Sequence, residues 1–198
     1  MTNQYQARKA YFSSRKKLQR TRRMSKVHFH NRVTDLQDNP LGFKAKRLKQ
    51  NGEIVNLPPY MNHVFKACHE LIDNQYRFQS LRLHGGHGVR YINVRRNIAK
   101  VLVVLLARSD LIDGRIGIPT KEGIDTISHD ELMGDYALRF GEMIEDKTWY
   151  TTLNYLKRCG FLHQGKINVA LPGQDSTPKI RSAASFKQFT MTFIKELK

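Results

Sequence analysis

The chain has 198 residues and a mass of 23.0 kDa, room for one ordinary domain with an extension but not for a large multidomain enzyme. Its 34 Lys and Arg stand against 17 Asp and Glu, a formal charge of +17, and so large an excess repels itself unless an anionic partner answers it. Hydrophobic residues at 40% exclude wholesale disorder, and the longest apolar run, Val101 to Ala107, falls far short of the ~20 residues of a transmembrane helix.

The charge is unevenly placed. Residues 1–50 carry +12, 51–100 carry +4, 101–150 carry −5 and 151–198 carry +6. Arg8-Lys9, Arg15-Lys16-Lys17, Arg20, Arg22-Arg23 and Lys26 have few apolar neighbours to offset the entropy of ordering them, so residues 1–56 are expected to be a flexible basic extension. Neutralising phosphates explains like charges this dense better than a solubilising tail does. Residues 1–30 hold no apolar signal core, and Cys68 and Cys159 lie outside any disulfide-scaffold or CxxC spacing. A reducing cytoplasm and no membrane partner are therefore expected.

Leu57-Pro58-Pro59 closes the extension, the second proline suiting a helix first turn. Met61, Val64, Phe65, Cys68, Leu71 and Ile72 recur at helical spacing and predict one helix to about Gln79. His84-Gly85-Gly86-His87-Gly88 breaks it, so residues 57–92 read as a helix and a glycine-rich connector. Asn93 is the expected cap of a central core helix through Ile98 and Val101–Leu106. A short strand is expected at Arg115–Pro119. Ser128 and Glu131 form a capping-box pattern ahead of a short helix to about Ala137. Residues 144–159 form the next helix, with Trp149, Leu153 and Leu156 on one face and Gly160 at its stop. Phe161–His163 with Ile167–Leu171, and Lys179–Phe189, make a hairpin, and Thr190 caps a last short helix.

Helix, short strand, two helices and a hairpin is the order of a winged helix-turn-helix, so the expected class is α+β, mainly helical, with residues 93–198 as the DNA-binding domain. Opposite Trp149, Leu153 and Leu156 on the wheel stand Lys147, Thr151, Asn154 and Arg158, a face without an acidic residue. Asn suits a bidentate contact with adenine and Arg one with guanine. The expected DNA contacts are Lys147, Thr148, Thr151, Asn154 and Arg158 on that helix, with Lys179, Arg181 and Lys187 on the wing.

Three stretches carry a family resemblance: Val94-Arg95-Arg96-Asn97-Ile98, the run Thr148–Leu156 ending in Cys159-Gly160-Phe161-Leu162, and Ile180–Lys187 leading to Phe193-Ile194-Lys195-Glu196-Leu197. In these the chain resembles the RepA-type replication initiators of IncFII-like bacterial plasmids over residues 93–198. The resemblance implies a non-enzymatic protein that binds duplex DNA at a plasmid origin, helps open it and brings in host replication proteins. Arg95 and Arg96 join the expected DNA contacts. A winged-helix transcription regulator and a basic RNA-binding protein are the alternatives.

No catalytic or metal site is expected, and no cofactor. His28-x-His30 and His84-x-x-His87 lack partners to complete a four-ligand zinc site. Asp125, Asp130, Glu131 and Asp135 fit a helix N-terminus better than a nuclease cluster. A phosphate-loop motif and a relaxase-like histidine cluster are missing from the sequence. His84 and His87, beside Arg82 and Arg90, are further phosphate contacts to weigh.

Overall fold

The computed structural model describes residues 2–33, 41–48, 51–110, 112–121, 123–165, 168–171, 179–182 and 185–197, with backbone alone at 2–5, 168–171 and 179–182. Its helices are α1 (Thr2–Val33), α2 (Tyr60–Glu70), α3 (Gln79–His84), α4 (Ile92–Leu106), α5 (His129–Phe140), α6 (Asp146–Arg158) and α7 (Met191–Leu197). Its strands pair antiparallel: β1 (Lys46–Leu48) with β2 (Ile54–Asn56), β3 (Gly117–Thr120) with β4 (Gly123–Thr126), β5 (Leu162–Gly165) with β8 (Phe186–Phe189), and β6 (Asn168–Leu171) with β7 (Lys179–Ser182). The class is α+β and mainly helical. No described helix is long and apolar enough to cross a membrane.

Apolar residues nearly all round its axis make α4 the centre of the molecule, since such a helix is stable only when covered on every side. Val101 through Leu106 are buried without a break, each worth about 1.5–3 kcal/mol of transfer free energy. Helices α2, α5 and α6 pack around it. Tyr91 stands at its N-cap without a side-chain bond, so Asn93 is not the cap. Asn93 instead accepts from Arg96 Nη1 through Oδ1 at 3.2 Å within the first turn.

The basic extension is a correction. Residues 2–33 form a 32-residue helix, and its later turns lie on α5. No glycine or proline interrupts residues 1–39, and Arg, Lys, Gln and Ala are strong helix formers. The docked stripe is Arg23, Val27 and His30, all buried and spaced to share one face. His30 donates through Nδ1 to the Leu138 carbonyl at 2.6 Å. Arg23 pairs with Asp130 and Asp146, while Lys26 lies 4.0 Å from Asp135. Side chains of α1 sit directly on glycines of this region: a Cβ at Gly134 would stand 2.5 Å from Lys26 Nζ, and one at Gly141 2.7 Å from His30 Cδ2. The acidic excess of residues 101–150 thus answers part of the basic excess of residues 1–50.

A second correction concerns the helix after Pro59, which ends at Glu70. Leu71 and Ile72 are buried in the turns that lead to the separate α3. Gly86, at φ 83°, begins a 3-10 turn over His87–Arg90, in the glycine stretch expected to break the helix. Farther on, the box at Ser128 is present in both directions: Ser128 Oγ accepts from the Glu131 N–H at 3.1 Å, and Glu131 Oε2 accepts from the Ser128 N–H at 3.0 Å.

Strands β5 and β8 pair from Leu162 with Phe189 to Gly165 with Phe186, and β6 and β7 from Asn168 with Ser182 to Leu171 with Lys179. Among the described residues these are two separate two-stranded sheets, β6–β7 lying between β5 and β8 in sequence. Residues 114–116 lie along β8, the Ile116 N–H bonding to the Lys187 carbonyl and the Phe189 N–H to the Gly114 carbonyl. Gly114 has φ 70°, and a Cβ there would stand 2.6 Å from the Phe189 carbonyl, so both conformation and space require glycine. The strand expected at Arg115–Pro119 divides accordingly, bridging to β8 at Arg115 and pairing with β4 from Gly117.

Candidate nucleic-acid interface

Trp149, Thr152, Leu153 and Leu156 bury one side of α6. On the other side Lys147, Tyr150, Thr151, Asn154, Lys157 and Arg158 are exposed, and no acid stands between Lys147 and Arg158. Thr148 is half-buried, and its carbonyl accepts from Thr152 Oγ1 at 2.8 Å. Asp146 in the first turn and Lys157 and Arg158 in the last complement the helix dipole. Gly160, at φ 73°, lets the chain leave α6 for β5. Lys157 is an addition to the expected face, adjacent to the readout stripe.

Two expected DNA contacts are buried and serve the fold instead. Arg95 is 8% exposed; its Nε donates to the carbonyls of Leu71 and Ile72 at 3.1 and 2.9 Å, and its Nη1 to those of Val89 and Arg90. It staples the 3-10 turn to the end of α2, because loop carbonyls buried there need a multidentate donor. Lys187 is 1% exposed, donating to the Ile127 carbonyl at 2.6 Å and the Ser185 carbonyl at 2.9 Å. Burial pulls it down to about 8. Period-two alternation turns Lys187 inward with Phe189, so it is no wing cation. Arg96 is exposed. Lys179 and Arg181 lie on β7, with side chains outside the described residues.

Beyond the last turn of α6 the exposed cationic surface continues onto the glycine loop. A Cβ at Gly88 would overlap the Tyr155 hydroxyl, and one at Gly86 would stand 3.8 Å from both Nη atoms of Arg158. Arg82, His84, His87 and Arg90 are exposed here. Arg82 lies over the Tyr76 ring, 4.4 Å from its centroid, and a concavity of about 430 Å³ opens between Tyr76, Arg82, His87 and Arg90. The adjacency of Arg158 to this loop had no sequence signal, since it depends on how α3 and α6 pack.

Beneath α6 a polar cluster fixes the helix against the hairpin. Trp149 Nε1 donates to His129 Nδ1 at 3.2 Å, and Gln164 and Ser185 approach His129 Nε2 at 3.1 and 3.4 Å. An indole only donates, so Nδ1 must keep its lone pair. Burial, then the charges of Lys187 and Lys157, hold His129 down at about 4. Of the acids weighed for metal chemistry, Asp130 pairs with Arg23, Asp135 with Arg108 at 2.7 Å, and Glu131 closes its cap. Among the described residues no group of three or more His, Cys, Asp or Glu could hold a metal ion.

Comparison with family models, with curated proteins and with solved structures gives no match.

Proposed function

We propose that the chain binds double-stranded DNA through α6, with α4, α5, α6 and the β5–β8 hairpin acting as a winged helix-turn-helix, and that it initiates plasmid replication. The observation that carries the DNA reading is the outward face of α6, where Lys147, Thr151, Asn154 and Arg158 are exposed together without an acid. Asn and Thr supply the short, directional groups that read base edges, while Lys and Arg supply charge for phosphate or guanine. The free turns of α1, with Arg8, Lys9, Arg15, Lys16, Lys17 and Arg20 exposed, add sequence-independent affinity. The initiator role rests on the pattern resemblance over residues 93–198.

Selection from a randomised duplex pool tests the first part: purified protein is expected to enrich one motif, and equal enrichment of unrelated duplexes, or a preference for structured RNA, overturns it. The initiator role is tested by cloning the gene with its flanking DNA onto a circle that lacks an origin. Maintenance of that circle only when the reading frame is intact supports it. A circle that is lost in both cases, while the selected motif lies in a promoter, favours a transcription regulator.

A further inference from the structure

We propose that the glycine loop beside α6 is a phosphate clamp, in which Arg82, His87 and Arg90, joined by Arg158, grip the duplex backbone flanking the bases that α6 reads. The inference rests on the DNA-binding reading above and adds a second contact surface, separated from α6 by more than fifty residues of sequence. Three observations carry it. Among the described residues the concavity between Tyr76 and Arg90 has no carboxylate in its wall and its cations have no acidic partner, although Arg77 is paired with Glu70 at 3.2 Å. The surface is built: Arg82 rests on Tyr76, and Arg95 holds the loop by the carbonyls of Val89 and Arg90. It is also continuous with the proposed interface, because Gly86 and Gly88 bring the loop backbone against Arg158 and Tyr155.

A glycine loop suits this role physically. Without Cβ atoms the backbone lies low, and long cationic side chains around it reach a phosphate from several directions. Arg158 then belongs to the backbone contact, with Asn154 and Thr151 left to the bases. Duplex is favoured over single-stranded DNA because the patch prolongs the α6 face, whose shape suits a groove.

The test compares the full chain with an Arg82→Ala/Arg90→Ala variant, both side chains being exposed, by titrating a 30-base-pair duplex, and its isolated strand, across a salt series. A Lys66→Ala/Lys121→Ala variant, which removes two exposed cations elsewhere, is the charge-matched control. Loss of two phosphate contacts should make the slope of log affinity against log salt shallower by about 1.8 on duplex, with the melting temperature and the control unchanged. A wild-type slope in the Arg82/Arg90 variant, with normal duplex binding, overturns the clamp and leaves the α6 reading standing. An equal change in the control reduces the effect to bulk charge and also overturns it. Loss on the isolated strand alone assigns the patch to single-stranded DNA. No duplex binding by the unaltered chain overturns clamp and α6 reading together.

Discussion

Arg23 Nη1 lies 3.0 Å from Asp146 Oδ1, joining the N-terminal helix to the first turn of α6. The same guanidinium stands 3.5 Å from Asp130 in the first turn of α5, so one arginine registers α1 against both helices. Since Asp146 is about half exposed, the pair is worth on the order of 1 kcal/mol. Arg23→Ala is expected to lower the melting temperature slightly and to speed protease cleavage within residues 1–33. Unchanged cleavage would show that Val27 and His30 dock α1 by themselves.

Removal of residues 1–20 separates the exposed part of α1 from its docked part. Affinity for all duplexes should fall together, with a shallower salt dependence, since each lost phosphate contact removes about 0.9 from the slope. The melting temperature should stay near wild type because the buried stripe starts at Arg23. A salt slope equal to that of the full chain excludes the arm from DNA contact.

Asn154 and Arg158 are expected to behave differently although they lie one turn apart. Asn154→Ala should cost about 1–3 kcal/mol on the selected motif and little on scrambled duplex. Arg158→Ala should weaken both alike. Parallel losses for Asn154→Ala would make α6 a phosphate contact only.

Lys187→Ala tests a stabilising role against a DNA contact. Removing the ammonium leaves the Ile127 and Ser185 carbonyls without their donor, a loss of about 1–3 kcal/mol for buried polar groups. Denaturant unfolding should report that loss, while the folded fraction binds duplex as before. Weaker DNA binding at unchanged stability would return Lys187 to the surface.

The His129 cluster gives the fold an acid-side weakness. The folded state holds this imidazole at about 4, below its usual 6.5, so between those values the unfolded chain takes up a proton that the folded chain refuses. Its contribution to stability is complete above pH 6.5 and is lost as pH falls towards 4. His129→Asn, whose amide oxygen accepts from Trp149, should flatten the melting temperature over that window. A slope as steep as wild type in the variant places the acid sensitivity elsewhere.

What was legible in the sequence was legible through periodicity and caps. Trp149, Leu153 and Leu156 define the α6 core face because three apolar residues repeat at helical spacing in a polar run, and Ser128 with Glu131 marks the start of α5 by side-chain chemistry alone. The docking of α1 was not legible: two of its three buried stripe residues are Arg23 and His30, which carry polar atoms and register as surface. Lys187 was misjudged for the same reason, since burial of its charge depends on carbonyls of Ile127 and Ser185 that only the fold brings near. Arg95 and Arg96 entered the expected contacts together through the resemblance over Val94–Ile98, whereas a helical turn of about 100° separates their side chains and leaves Arg95 buried and Arg96 exposed.

The ring of Phe193 in α7 packs against Phe78, Phe161 and Phe189, and Glu196 accepts from the Ser80 N–H across 116 residues of chain. A nascent polypeptide that has not yet released α7 therefore holds three aromatic rings with no lid over them. A contact between residues so far apart in sequence can form only after the intervening chain has been made, and non-local contacts of this kind slow folding. During synthesis the exposed rings are a target for chaperones and for self-association, so yield of folded protein should depend on how quickly residues 191–197 leave the ribosome.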